Sequence, residues 1–156
     1  MKARARLLGH PVHQMLIVFP LGLLATAVVF DGVALASGNP QWWQISFWVM
    51  GAGIAGALLA APFGLVDWLA IPRGTRARRI GSFHGLGNAV VSALFLGSWL
   101  LRNPVDAAPA LALVLSFSGA ALALLTGWLG GELVSRLGVG VEDDADLDAP
   151  NSLLSK

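Results

Sequence analysis

MLIVFPLGLLATAVVF, residues 15–30, is an apolar run of 16 residues without a charge, and it continues to Ala36 with Asp31 as the only ionisable group. Roughly 20 mostly apolar residues cross the hydrocarbon core of a bilayer, so residues 15–36 read as a first membrane span. Working outward, three more stretches have the same character: about 42–70, with Asp67 near its end, about 83–101 and about 108–134. The breaks between them, Ser37-Gly38-Asn39-Pro40, Pro72-Arg73-Gly74-Thr75-Arg76 and Arg102-Asn103-Pro104, are rich in residues that stop helices. The sequence therefore predicts an all-α, integral membrane four-helix bundle over residues 1–141 and a flexible acidic C-terminal tail over 142–156. No internal repeat is visible.

Composition agrees. The 156 residues are 56% hydrophobic and 12% charged, with a mean hydropathy of +0.71, against about 25% charged in a soluble domain. The absence of cysteine excludes disulfides, thiolate metal sites, iron–sulfur clusters and a cysteine nucleophile. Any metal would need nitrogen and oxygen ligands. Ala34-Leu35-Ala36 could end a secretory signal, but the apolar run is at the long limit for one. His10-Pro11-Val12-His13 also replaces the usual plain basic flank, so a retained span is the better reading.

Lysine and arginine set the direction of insertion. Lys2, Arg4 and Arg6 precede the first span, Arg73, Arg76, Arg78 and Arg79 lie between the second and third, and Arg136 follows the fourth, whereas the opposite side has only Arg102. Both termini are expected in the cytoplasm, in a bacterial inner membrane. Glu142, Asp143, Asp144, Asp146 and Asp148 of the tail reduce this basic face to a net charge of +1. The lipid bilayer is the expected surrounding, and nucleic acid is not an expected partner.

Small residues let helices approach closely in lipid. They recur at spacing four as Ala52, Gly56, Ala60 and Gly64, as Gly85, Ala89, Ala93 and Gly97, and as Gly119, Ala123, Gly127 and Gly131. These ridges predict a compact bundle, with homo-oligomer contacts through the same faces. Trp42, Trp43, Trp48, Trp68, Trp99 and Trp128 stand near span ends, as interfacial anchors do. Pro20 and Pro62 lie inside spans and can bend them.

Ionisable residues within spans are candidates for function. Counting along the spans places His10, His13, Asp67, His84 and Glu132 at one depth near the termini, with Pro11 suited to the first helical turn and His10 at its cap. Asp31 lies about 27 Å from His13 at the helical rise and reads as a solvated helix end. Asn88 is one turn from His84, suited to interhelical hydrogen bonding or to orienting His84. His13 and His84 could hold haem b, with propionates directed at Arg73, Arg76, Arg78 and Arg79. All five residues could instead bind zinc, iron or manganese, although His10-Pro11-Val12-His13 lacks the spacing of helical zinc peptidases. A cofactor-free reading makes the five a hydrogen-bond and ion-pair network closing the helix ends. A transporter is the weakest class, because no pair of broken half-helices is present.

Gly9-His10-Pro11-Val12-His13, Phe19-Pro20-Leu21-Gly22, Gly64-Leu65-Val66-Asp67, His84 with Asn88, and Gly130-Gly131-Glu132-Leu133-Val134 followed by Gly138-Val139-Gly140-Val141 resemble the bacterial membrane-protein family called domain of unknown function 2231. The resemblance covers about residues 9–141 and implies four spanning helices. Some relatives are joined to Rieske-type or cytochrome c-type domains, which implies redox work with a protein partner. Gln14 stands where many members have a second proline, and Ser135-Arg136-Leu137 where many have Tyr-Arg-His. The charge pattern makes one direct prediction: a C-terminal fluorescent fusion should be active and a C-terminal alkaline phosphatase fusion silent, and the reverse would invert the topology.

Overall fold

A computed structural model describes residues 1–153. A two-residue strand β1 (Arg6–Leu7) pairs antiparallel with β2 (His10–Pro11). Leu8 and Gly9 between them both have positive φ, 51° and 87°, the signature of a two-residue type I′ hairpin turn. Five helices follow: α1 (Val12–Leu16), α2 (Val18–Ser37), α3 (Gln41–Ala70), α4 (Arg76–Leu100) and α5 (Ala110–Ser135). Together α1 and α2 form the first span, and each of the others is long and apolar enough to cross a membrane. The four-span, all-helical expectation is met, with α4, the third span, starting earlier than its apolar run because Thr75 Oγ1 accepts the Arg78 amide hydrogen at 3.1 Å and caps it.

The interruption at Ile17 has a local cause. Pro20 has no amide hydrogen to give the Leu16 carbonyl, so the helical ladder lapses there and resumes with Leu21 donating to Ile17 at 3.1 Å. Pro20 is thus in the first turn of α2, where it costs little, rather than bending the middle of a span. Gly56 leaves room for Phe19 and Pro20 to lie against α3.

The bundle is two helical hairpins, α2 against α3 and α4 against α5, joined along α3–α4 and α2–α5, with α2 and α4 on a diagonal. The termini meet at one end, where the Met1 ammonium donates to the Gly138 carbonyl at 2.9 Å and Lys2 pairs with Glu142 at 2.9 Å. The hydrogen bond to Glu142 and that residue's charge hold Lys2 above its ordinary pKa. The described part of the acidic tail lies on the basic N-terminal arm, with Arg6 also paired to Glu142 and Ser152 against Gly9. At the same end Arg78 crosses the α3–α4 connection, donating to the Trp68 and Ile71 carbonyls with its guanidinium 3.6 Å from the Trp68 ring centroid.

Packing corrects two expectations. The ridge Gly85, Ala89 and Ala93 faces outward, as do Gly127 and Gly131, with nothing within 4 Å of a Cβ built at Gly85, Gly127 or Gly131. The close approaches instead use Gly53 against Leu24, Gly87 against Thr126 and Gly119 against Phe95. Trp48 and Trp128 are exposed as anchors would be, but Trp43 is buried and Trp99 stacks on Phe47 at 5.1 Å.

Asp31 is the larger correction. It is not a solvated helix end but fully buried at the far end of the bundle. Both its oxygens accept from the Arg102 guanidinium, at 2.6 and 2.7 Å, while Ser46 and Ser116 donate to them at 2.6 and 3.1 Å. Ser98 Oγ accepts from Arg102 Nε at 3.2 Å and donates to the Ala112 carbonyl at 2.7 Å. Depth along a helix does not reveal which way a side chain points, and Asp31 points into the bundle. Removing one member of such a pair strands a buried charge, so Asp31→Ala should cost about 3–5 kcal/mol, read as a fall in the thermal midpoint of detergent-purified protein.

Candidate functional site

The five residues expected at one depth do not form one cluster. Asp67, in the last turn of α3, accepts the amide hydrogens of Arg4 and Ala5 at 2.7 and 3.0 Å and so ties down the N-terminal arm. Glu132 on α5 pairs with Arg76 on α4 at 2.6 Å. His10 is not a helix cap but part of β2, exposed, with Nδ1 3.2 Å from the Leu8 carbonyl. Two surface clefts between arm and tail are both lined by His10, Asn151 and Ser152. Among the described residues no group of three His, Asp or Glu side chains is arranged to hold a metal ion.

His13 and His84 are different. The interruption at Ile17 leaves α1 as a single turn lying against α3, where His13 Nδ1 donates to the Ala60 carbonyl at 3.0 Å. His84, in the third turn of α4, donates from Nδ1 to the Thr126 carbonyl of α5 at 2.9 Å. A carbonyl only accepts, so each Nδ1 carries a hydrogen, and in its neutral form each imidazole has its lone pair on Nε2. Each ring also lies against a glycine: a Cβ built on Gly64 would stand 2.7 Å from His13 Cε1, and one on Gly130 would stand 3.0 Å from His84 Cε1. Both rings are partly buried, His13 on α1 and His84 on α4.

Asn88 completes the His84 side. Its Nδ2 donates to the His84 carbonyl at 2.9 Å, and its Oδ1 accepts from Thr126 Oγ1 at 3.1 Å. The same nitrogen is 3.3 Å from both ring nitrogens of His84. An atom equidistant from the two in the ring plane would collide with Cε1, so the amide lies over the ring face and leaves the in-plane lone pair of Nε2 clear. Asn88 thus combines interhelical bonding with orientation of His84.

A family model described as "Predicted membrane protein (DUF2231)" matches residues 9–143. The chain belongs to this family. Its match begins at Gly9, in the turn that leads to His10, and takes in both imidazole-bearing helices and the glycines beneath them. No curated protein and no solved structure matches the chain.

Sequence reasoning placed His13 and His84 at one depth but missed the glycines as their seats and the carbonyls as their partners. Those signals are present, since Gly64 and Gly130 each stand four residues after the carbonyl that accepts the bond. In this DUF2231 chain, Gly64→Ala should force the His13 ring aside at a cost of about 1–3 kcal/mol. Gly131→Ala, where nothing is near, should instead be neutral or stabilise α5 by up to about 1 kcal/mol. Thermal midpoints of the two variants test the contrast.

Proposed function

We propose that this membrane protein holds haem b between His13 and His84, at the cytoplasmic end of a bacterial inner-membrane bundle, and takes part in electron transfer with a redox protein partner. The observation that supports this best is the matched pose of the two imidazoles, each with Nδ1–H committed to a carbonyl of the neighbouring helix and Nε2 left as a donor. A carbonyl behind a ligating imidazole fixes its tautomer and orientation and raises its basicity. Haem iron supplies reversible one-electron chemistry when bound. The chain's own part is to hold both rings in place, with Asn88 and Thr126 bracing His84. Arg73 and Arg79 are exposed at the α3–α4 connection and suit the propionates, whereas Arg76 is engaged by Glu132 and Arg78 by Trp68 and Ile71.

A zinc, iron or manganese site using His10, Asp67 and Glu132 as further ligands has less support, because each of those side chains has other work. A cofactor-free bundle is the alternative of a different class, in which the same histidine bonds only join helices. Protein purified in mild detergent should show a Soret band. His13→Ala and His84→Ala should each abolish it, and Glu132→Gln should retain it. Colourless, folded wild-type protein would sink the haem reading, and metal lost on Glu132→Gln would favour the carboxylate site.

A further inference from the structure

The contacts inside one hairpin recur inside the other in a fixed register. Adding 71 to positions on α1–α2, and 66 to positions on α3, generates the second hairpin's contacts at four depths. His13 against Ala60 and Gly64 becomes His84 against Thr126 and Gly130. Leu24 seated on Gly53 becomes Phe95 seated on Gly119. The bond from Ser46 to the Ala27 carbonyl becomes the bond from Ser98 to the Ala112 carbonyl, with the same two positions joined and donor and acceptor exchanged. Asp31 becomes Arg102, and these two bind each other.

Residues related by a twofold rotation can touch only where they stand at its axis. Asp31 and Arg102 therefore mark the axis at the far end of the bundle. His13, on α1, and His84, on α4, are equivalent positions at the other end. The carboxylates and His10 do not share this relation: Asp67 maps to Leu133, Glu132 to Val66 and His10 to Gly81.

We infer that the chain is two equivalent hairpins in tandem, and that its imidazole site would take one centre on their pseudo-twofold axis: an iron tetrapyrrole that His13 and His84 would hold alike. The ligand half of this inference rests on the haem reading above, and the duplication does not. An on-axis centre needs equal donors from both halves, which only the histidines provide. Identity at His13/His84, Gly53/Gly119 and Gly64/Gly130 amid substitutions such as Leu24/Phe95 and Ala60/Thr126 explains why the chain shows no plain sequence repeat.

Two arms on full-length protein in detergent separate the halves of the claim. Asp31→Arg and Arg102→Asp alone should each lower the thermal midpoint by about 10 °C, and the two together should restore most of it, because equivalent positions can exchange their side chains. A double variant no more stable than the worse single one overturns the duplication. In the second arm, His13→Ala and His84→Ala should lose the haem spectrum to the same extent, and free imidazole supplied throughout purification should restore it in both. Loss in only one variant overturns the on-axis site. Haem-free wild-type protein with a rescued charge swap removes the ligand and leaves the duplication standing.

Discussion

A carboxylate and a guanidinium persist in hydrocarbon only when each completes the other, and the Asp31–Arg102 pair meets that demand on every side. Its oxygens and nitrogens are shared among Ser46, Ser98 and Ser116, so α2, α3, α4 and α5 or their immediate ends all contribute. No buried side-chain nitrogen or oxygen is left without a partner among the described residues. Helices in lipid gain nothing from expelling water, so such a network is a strong reason for the four spans to hold one arrangement. It sets α2 and α4 across the diagonal from one another. At the other end the two imidazoles each bond a carbonyl of the neighbouring helix, His13 on α3 and His84 on α5.

The terminal end solves the same problem with weaker means. Asp67 is satisfied by backbone amides of the arm and Glu132 by a half-exposed arginine, contacts that water can replace. The histidines instead borrow carbonyls already engaged in helix bonds, since a carbonyl has two lone pairs. This leaves the helices intact and both rings fixed. Residue type alone therefore does not assign a role here, because neighbours within hydrogen-bond reach decide it.

Four spans were legible because length and hydropathy depend only on composition along the chain. What the sequence concealed was direction around each helix. Asp31 and Arg102 looked like boundary residues by depth, yet Ser46, Ser98 and Ser116 at the same level signalled a polar interior. The ridge at Gly85, Ala89 and Ala93 had the right spacing and faces outward, while Gly53, outside any ridge, makes a close approach. Pro20 read as a mid-span bend because the break at Ile17, which puts it in the first turn of α2, was not foreseen. His13 and His84 were legible as a pair by depth, but their equivalence was not, since two of the partners beneath them, Ala60 and Thr126, differ in kind.

Arg78 has a mechanical consequence. By tying the last carbonyls of α3 to the first turns of α4 and lying on the Trp68 ring, it stiffens the only covalent crossing between the hairpins. A stiff crossing acts as a pivot. The seam between α2 and α5 has no such crossing and is held by side chains instead, Ser116 on Asp31 at one end and the Met1 and Lys2 contacts of the arm with Gly138 and Glu142 at the other.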